Sequence, residues 1–175
     1  VTPTGIPASQ LRAGDMVLLD AGGAPVHPGG RRPTSEWQLH TEVLARRPDV
    51  GAIVHTHSPE ATAAATVGTP LPPIHYVVAR FGGRDVACAP YGTYGSRALA
   101  DAVADTLGET RTACLMANHG ALTVGPDLPT AVALAVDLEW FCGVVRRAGG
   151  HGSPVVLTDD EIDRVAEQFR GYGQR

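Results

Sequence analysis

The sequence contains no lysine, because all 14 of its basic residues are arginines. An enzyme that activates a carbonyl group as a Schiff base needs a lysine amine, and the phosphate-binding P-loop also requires a lysine. The G-x-S-x-G turn that presents the nucleophile in many serine hydrolases is absent as well. These absences exclude imine chemistry and a P-loop for this segment, and they disfavour a serine hydrolase.

Cysteine and long apolar runs are also scarce. The three cysteines, Cys88, Cys114 and Cys142, lie far apart and form no C-x-x-C pair, so we expect buried, reduced thiols in a cytoplasmic protein. We find no apolar run long enough to cross a bilayer and no signal peptide, so no membrane partner is expected. The scattered charges, with a net charge of -4, disfavour nucleic acid as a partner.

The rest of the composition is that of an ordinary globular domain. Of the 175 residues, 43% are apolar and 18% are charged, which is enough to build one substantial core. Strands and helices mix without a strict β–α–β repeat, so we predict one α/β domain over residues 1–175, with a central sheet flanked by helices on both faces. The first residues, V-T-P-T-G, do not resemble a natural start, and we expect an N-terminal segment to be missing.

The positions of the strands and helices follow from apolar periodicity and capping residues. Strands are predicted at residues 16–20, 51–57, 86–89, 112–117 and 121–124. Helices are predicted to begin at Thr34 or Ser35, Ser58, Ser96 and Thr158, with a further helix over residues 129–147. Because that last helix is apolar almost all round, we expect it to be buried in the core or against another subunit.

Two histidines, His55 and His57, stand one residue apart at the end of an apolar run. Side chains alternate along a strand, so both imidazoles would point to the same face. A shared metal ion would explain this pairing, and so would a polar strand end that leads into a helix. His119 precedes Gly120 between two predicted strands and alone suggests only a turn histidine. Together, the three neutral imidazoles would form a zinc site with one open position, which is the catalytic arrangement.

Glu36 is the natural candidate for a general base, although a helix-dipole carboxylate is the plainer explanation. Thr34 and Ser35 precede it at a predicted helix N-terminus, where hydroxyl and backbone N–H groups can bind an anion. Thr2–Gly5 could add a further hydroxyl and N–H group. A phosphate beside a carboxylate and a zinc ion suggests a phosphorylated sugar whose C–H bond the metal makes acidic. We interpret His40 as an ordinary helix-face residue.

Several motifs, taken together and in this order, resemble the class II aldolase/adducin family. They are T-P-T-G-I-P, P-T-S-E-W-Q-L-H, V-H-T-H-S, I-H-Y, C-A-P-Y-G-T-Y-G and N-H-G, and the resemblance runs from Thr2 to nearly the last residue. The family fold is a mostly antiparallel nine-stranded sheet flanked by helices. It assembles as a homotetramer with active sites between subunits. The resemblance therefore implies a homotetramer whose substrate is a small phosphorylated sugar.

The resemblance also assigns roles to individual residues. It implies that one Zn²⁺ per subunit is bound by His55, His57 and His119. Glu36 would be the catalytic carboxylate, and Tyr172 would close over the site. Tyr76 would protonate the aldehyde side of the substrate that is bound to a neighbouring subunit. The positions that match the phosphate and aldehyde pockets are Thr4, Gly5, Thr34, Ser35 and Tyr94. The implied reaction is reversible cleavage of a ketose 1-phosphate, such as L-fuculose 1-phosphate, to dihydroxyacetone phosphate and an aldehyde such as L-lactaldehyde.

Other members of the family leave alternatives open. A 4-epimerase shares the histidines but lacks the glutamate, so Glu36 favours an aldolase; dehydratases and decarboxylases also share the metal site. A non-catalytic adducin-like scaffold would have lost the three ligands that are present here. The family's N-terminal G-N motif, which contributes to phosphate binding, is absent from the sequence, and manganese or cobalt could replace zinc.

Overall fold

A four-stranded sheet lies at the centre of the computed structural model, which describes residues 1–27 and 29–171. The strands are β1 (Ala52–Thr56), β2 (Cys88–Ala89), β3 (Ala113–Met116) and β4 (Gly120–Gly125). Their order in the sheet is β1-β4-β3-β2. Strand β4 runs antiparallel to both of its neighbours, and β2 runs parallel to β3. The predicted mostly antiparallel sheet is therefore confirmed.

The described residues also form five α-helices. They are α1 (Trp37–Arg46), α2 (Pro59–Ala65), α3 (Arg97–Leu107), α4 (Leu128–Gly149) and α5 (Asp159–Arg170). Short 3-10 helices span Ala8–Gln10, Ala13–Asp15 and Tyr76–Phe81. The predicted caps are confirmed at two helix starts, because Ser96 accepts a hydrogen bond from Leu99 N–H and Thr158 forms a capping box with Glu161.

The helices lie on both faces of the sheet, as predicted, and successive residues of β3 show this directly. Ala113 and Leu115 belong to one buried cluster, together with side chains of α2 and α4. Cys114 and Met116 belong to a second cluster with side chains of α1 and α3. Because side chains alternate along a strand, the two clusters are the cores on opposite faces of one sheet. The cysteines are free, as expected.

The described residues form four strands rather than the nine of the family fold, and several further extended segments pair only through single bridges. These bridges are Pro3↔Pro33, Leu19↔Pro25 and Leu71↔Val86. The strand predicted at residues 16–20 is wrong for this reason. The Asp20 carboxylate accepts hydrogen bonds from the N–H groups of Gly22 and Ala24. The resulting turn directly follows Leu19, so the pairing does not extend into a strand.

Helix α4 is long and apolar enough, by length and composition alone, to cross a membrane. Within this helix, the charged residues Asp137 and Glu139 interrupt the apolar sequence. In the structure this helix packs against β1, β4 and α2, as a core helix of a globular domain does. Its inner side chains are buried, whereas an outer row at every fourth position is exposed: Leu128, Val132, Val136 and Trp140. We call this row the α4 stripe.

Candidate active site

Four side chains that the sequence singled out converge at one end of β1. Glu36, His55, His57 and His119 each offer one ligand atom, and these atoms lie within 4.8 Å of one another. His55 belongs to β1, His57 follows this strand, and His119 lies in the turn between β3 and β4. We call these four residues the metal cluster, because three imidazoles and a carboxylate are a donor set typical of transition-metal sites.

The register of β1 on β4 brings the histidines together. Thr56 pairs with Ala121, so His57 lies beside Gly120 and next to His119. A Cβ atom on Gly120 would lie 2.4 Å from the carbonyl oxygen of Thr56 and 3.0 Å from Cδ2 of His57. Glycine is therefore required at position 120, because any side chain would displace β1 or the imidazole of His57.

The turn that carries His119 is tight and has a left-handed residue. Asn118 has a φ of 55°, a conformation that asparagine tolerates better than most residues. Its N–H group donates to the carbonyl oxygen of Ala65 at 3.1 Å, and the N–H of His119 donates to Met116 at 3.0 Å. These bonds fix the backbone from which the imidazole of His119 projects.

Hydrogen bonds define which nitrogen atoms face the cluster. Nδ1 of His55 lies 2.9 Å from the carbonyl oxygen of Ala121, and only a protonated Nδ1 can donate to a carbonyl. In the neutral ring, Nε2 then carries the lone pair. This Nε2 atom lies 2.9 Å from Nε2 of His57 and 2.9 Å from Oε2 of Glu36. The lone pair of His55 therefore points into the cluster, as metal coordination requires.

Glu36 supplies the strongest sign that a cation belongs there. Its Oε1 atom is buried and accepts no hydrogen bond from the described part of the chain, although Nε2 of His119 lies 3.4 Å away. A buried carboxylate oxygen without a partner costs free energy. The residues fit a divalent metal ion, because such an ion would neutralise this oxygen and use the imidazole lone pairs.

The pKa shifts in the cluster favour the protonation states that bind a metal ion. Burial raises the pKa of Glu36, but the contact with His55 and the positive charges that the three histidines carry when protonated outweigh burial and hold this pKa below the ordinary value. Burial also lowers the pKa of His57 and of His119, against the attraction of Glu36. These shifts favour the ionised carboxylate of Glu36 and the neutral imidazoles of His57 and His119, which are the forms that bind a metal ion.

His40 lies closer to the site than its interpretation as an ordinary helix-face residue implied. It stands four residues after Glu36, in the first turn of α1. Together with Thr34 and His55 it lines a cavity of about 560 Å³. Burial, together with repulsion by His55, lowers the pKa of His40 to about 4. The spacing from Glu36 was the signal in the sequence that would have revealed this position.

A two-stranded ribbon places hydroxyl groups next to Glu36. Thr4 N–H donates to Arg32 at 3.0 Å, and Thr34 N–H donates to Thr2 at 2.9 Å, on either side of the Pro3↔Pro33 bridge. Since Pro3 is buried and Thr4 is exposed, alternation directs the threonine side chains to the opposite, outer face. Oγ1 of Thr34 also accepts from Glu36 N–H at 3.3 Å. Glu36 directly precedes α1, so this helix begins later than the predicted start at Thr34 or Ser35.

The loop that carries Tyr94 packs against the same segment. Gly95 has a φ of +71°, and a Cβ atom there would lie 2.7 Å from the carbonyl oxygen of Ser35. This close approach, which only glycine permits, holds the loop beside Ser35 and Glu36. The neighbouring Tyr94 side chain is exposed and is therefore available at the rim of the site.

Comparison with known proteins identifies the family. The family model described as Class II Aldolase and Adducin N-terminal domain matches residues 1–145. The chain belongs to this family. It is 42% identical over 173 residues to a 5-methylthioribulose-1-phosphate/5-deoxyribulose-1-phosphate aldolase of Rhodospirillum rubrum, covering 99% of this chain and 77% of that protein. It is 38% identical over 176 residues to the L-fuculose phosphate aldolase of Escherichia coli strain K12, covering 100% of this chain and 80% of that protein.

A solved structure agrees with these relatives. An L-fuculose 1-phosphate aldolase superposes with a TM-score of 0.91 and 38% sequence identity, covering 97% of this chain and 78% of the other. The protein is therefore a class II aldolase, that is, a metal-dependent lyase. The metal cluster is the group of side chains in the described structure that suits this chemistry.

Tyr76, which was expected to serve the site of a neighbouring subunit, lies away from the metal cluster of its own chain. Tyr76 lies in the 3-10 helix Tyr76–Phe81, where its ring stacks on His75 with centroids 4.3 Å apart. It lines a separate cavity of about 790 Å³ together with Trp140 and Phe169. In the part of the chain that the structure describes, it has no bond or ring contact with the cluster. Tyr172 lies outside the described residues.

Proposed function

We propose that the protein reversibly cleaves a ketose 1-phosphate to dihydroxyacetone phosphate and an aldehyde, with Zn²⁺ as the resident metal. The metal cluster is the observation that carries this proposal, because it combines three imidazoles with a buried carboxylate in an aldolase family. The absence of lysine supports it, since an imine cannot serve as the electron sink.

His55, His57 and His119 are the proposed metal ligands, and three histidines with an open position are typical of catalytic zinc. A bound Zn²⁺ would act as a Lewis acid that polarises the substrate ketone. The convergent lone pairs support this assignment, and the carbonyl oxygen of Ala121 would keep His55 in the required tautomer.

The proposed phosphate site is the outer face of the two-stranded ribbon around the Pro3↔Pro33 bridge, where the threonine side chains lie. Thr4, Gly5, Thr34 and Ser35 lie at or beside the Pro3↔Pro33 bridge, directly before α1. Backbone N–H groups at a helix start and neighbouring hydroxyls suit an anion. Thr34 directly contacts the backbone of Glu36, so phosphate bound there would place the other end of the sugar toward the metal cluster.

Glu36 and Tyr76 would move the protons. In the synthetic direction, the ionised Glu36 removes a proton from the carbon of dihydroxyacetone phosphate that becomes C3. The electron pair left on that carbon attacks the aldehyde carbon to form the C3–C4 bond, and the hydroxyl of Tyr76 donates its proton to the aldehyde oxygen, which becomes the C4 hydroxyl. Solvent then returns a proton to Tyr76 and takes the proton from Glu36, and cleavage is the reverse of these steps. Tyr94 and Tyr172 would border the aldehyde.

A homotetramer with active sites between subunits would bring Tyr76 to the metal cluster of another copy. Two features support this proposal. Tyr76 is exposed on its own subunit, in a cavity separate from the cluster. The α4 stripe adds an exposed row of apolar side chains, which commonly marks an interface. The free cysteines suit the cytoplasm, where thiols stay reduced.

The aldehyde half of the substrate has two candidates. L-fuculose 1-phosphate is the substrate expected from the sequence, and relatives named for that sugar phosphate are 38% identical. A relative named for 5-methylthioribulose 1-phosphate and 5-deoxyribulose 1-phosphate is 42% identical. This identity makes those two sugar phosphates the second candidate. All three compounds share the first three carbons, so the proposed chemistry is the same for each.

The test is release of dihydroxyacetone phosphate from each candidate by the protein after chelation and after reloading with Zn²⁺. We expect cleavage of at least one candidate, loss of cleavage after chelation, and recovery with Zn²⁺. The values of kcat/KM for L-fuculose 1-phosphate and 5-deoxyribulose 1-phosphate then decide the aldehyde. No cleavage of any candidate by folded, Zn²⁺-loaded protein would overturn the proposed function.

A further inference from the structure

The three histidines of the metal cluster differ in how their rings are held. His55 is fixed by its bond to the carbonyl oxygen of Ala121, and His119 projects from a tight, hydrogen-bonded turn. His57 is the exposed member of the cluster. Among the described residues, its imidazole makes no hydrogen bond apart from the contact with His55. The position of this ring therefore depends on the backbone around it.

That backbone passes directly into helix α2. Ser58 occupies the capping position, but its side chain makes no capping hydrogen bond. The cap comes instead from α4, across the helix interface. The carboxylate of Glu139 accepts hydrogen bonds from the N–H groups of Glu60 at 2.9 Å and Ala61 at 2.8 Å. These are donors that the first turn of a helix leaves without partners.

Helix α2 also connects His57 with the other ligand turn. At its far end, the carbonyl oxygen of Ala65 accepts the hydrogen bond from Asn118, the residue before His119. This short helix therefore begins two residues after one proposed ligand and ends in contact with the turn that carries another. Any shift of its first turn would move His57 relative to His55 and His119.

We propose that Glu139 is a positioning residue of the metal centre, which holds His57 in place by anchoring the first turn of α2. This inference rests on the proposed metal role of His57. Glu139 touches neither metal nor substrate in this arrangement and acts only through the backbone. Partners that orient metal ligands from outside typically change metal affinity about 10- to 100-fold when they are removed.

A second contact between the same helices supplies a matched control. The side chain of Glu60 forms an ion pair with Arg146 of α4, with oxygen–nitrogen distances of 2.6 and 2.7 Å. It joins α2 to α4 as Glu139 does, but through side chains. Glu60→Gln therefore removes a charged contact from this interface while the backbone bonds to Glu139 remain.

The experiment measures Zn²⁺ affinity, by competition with a chromophoric chelator, for full-length wild type, Glu139→Ala, Glu139→Gln, Glu60→Gln and His57→Ala. The absorption spectrum of Co²⁺-loaded protein reports the coordination geometry. We expect Glu139→Ala to lower affinity about 10- to 100-fold and to alter the Co²⁺ spectrum. Glu139→Gln should lower it less, since the amide oxygen still accepts one N–H, and Glu60→Gln should change it less than about threefold.

Wild-type affinity and an unchanged Co²⁺ spectrum in both Glu139 variants would overturn the inference. An equal fall in Glu60→Gln and Glu139→Gln would also overturn it, because the effect would then belong to helix packing in general. If Glu139→Ala does not fold, the Zn²⁺ affinities and Co²⁺ spectra of Glu139→Gln and Glu60→Gln are compared instead, and the same criteria apply. Unchanged affinity in His57→Ala would remove the proposed metal site itself, and this inference with it.

Discussion

The metal cluster and the surface around Tyr76 differ in how completely one chain builds them. In the cluster, Nδ1 of His55 bonds to Ala121, Nε2 of the same ring lies 2.9 Å from the carboxylate of Glu36, and the ligand atoms lie within 4.8 Å of one another. Around Tyr76, the aromatic rings line an open cavity, and Tyr76 and Trp140 are about half exposed, at 52% and 49%. The contrast shows that the metal cluster is assembled within one chain, and it supports the proposal that the surface around Tyr76 serves a second copy.

The largest expected effect comes from removing a proposed ligand of the metal cluster. His119→Ala removes one of the proposed metal ligands, and we expect metal affinity and aldolase activity to fall at least about a thousandfold. Metal content after dialysis and release of dihydroxyacetone phosphate would show this. His151→Ala, which changes an exposed histidine far along the chain, serves as the control. Normal metal content and activity in His119→Ala would contradict the assignment.

Glu36→Gln keeps the shape of the side chain but removes its charge and its basicity. We expect aldolase activity to fall about 10²- to 10⁴-fold, as for other general bases. The three histidines remain, so the protein should still bind Zn²⁺, although more weakly. Steady-state kinetics and metal analysis on the same preparation separate these two effects. A variant with full activity would show that Glu36 is only a neighbour of the metal.

Tyr76→Phe probes the open surface and should have a smaller effect. Loss of the phenolic hydroxyl removes one proton carrier, and we expect kcat to fall about 10²-fold with little change in Zn²⁺ affinity. Tyr91→Phe, another exposed tyrosine, is the matched control and should stay near wild type. If both variants behave alike, Tyr76 has no special part in proton transfer.

The smallest effect concerns stability near the cluster. The pKa of His40 is about 4 in the folded protein against an ordinary value of 6.5, so the unfolded chain binds more protons between these values. The free energy of unfolding should therefore fall as pH drops through this window, by about 2 kcal/mol from pH 7 to pH 5 on account of His40. In metal-free protein, urea titrations of wild type and His40→Gln should show this difference. Parallel pH profiles for the two proteins would refute it.

The sequence predicted those features that depend on local pattern. The helix starts at Ser96 and Thr158 follow from side chains that bond to the next turn, and the alternation in β3 follows from its apolar run. The single bridge at Leu19 could not be predicted. The pairing ends at the next residue, because the Asp20 carboxylate accepts a hydrogen bond from the N–H of Gly22 and so forms a turn. The convergence of the ligands depends on the register of β1 on β4, which brings together residues about 60 positions apart.

The contacts that support the site were harder to find in the sequence. Glu139 anchors the helix after His57 from 78 and 79 residues along the chain, and no local pattern marks such a long-range bond. His40 was within reach, because in the helix that was predicted to begin at Thr34 or Ser35, a spacing of four from Glu36 would place both side chains on one side. The cavity beside His40 could not be predicted, since Val1 and Met16, far away in sequence, line it as well.

One measurement tests most directly whether the two regions act together across copies. Glu36→Gln and Tyr76→Phe chains, each nearly inactive alone, are co-expressed so that mixed oligomers form. If Tyr76 serves the metal cluster of another copy, some sites receive both intact residues, and activity should rise to about a quarter of the wild-type value for random assembly. If Tyr76 acts within its own chain, no site regains both residues. Mixed oligomers that remain as inactive as the separate variants would contradict the account.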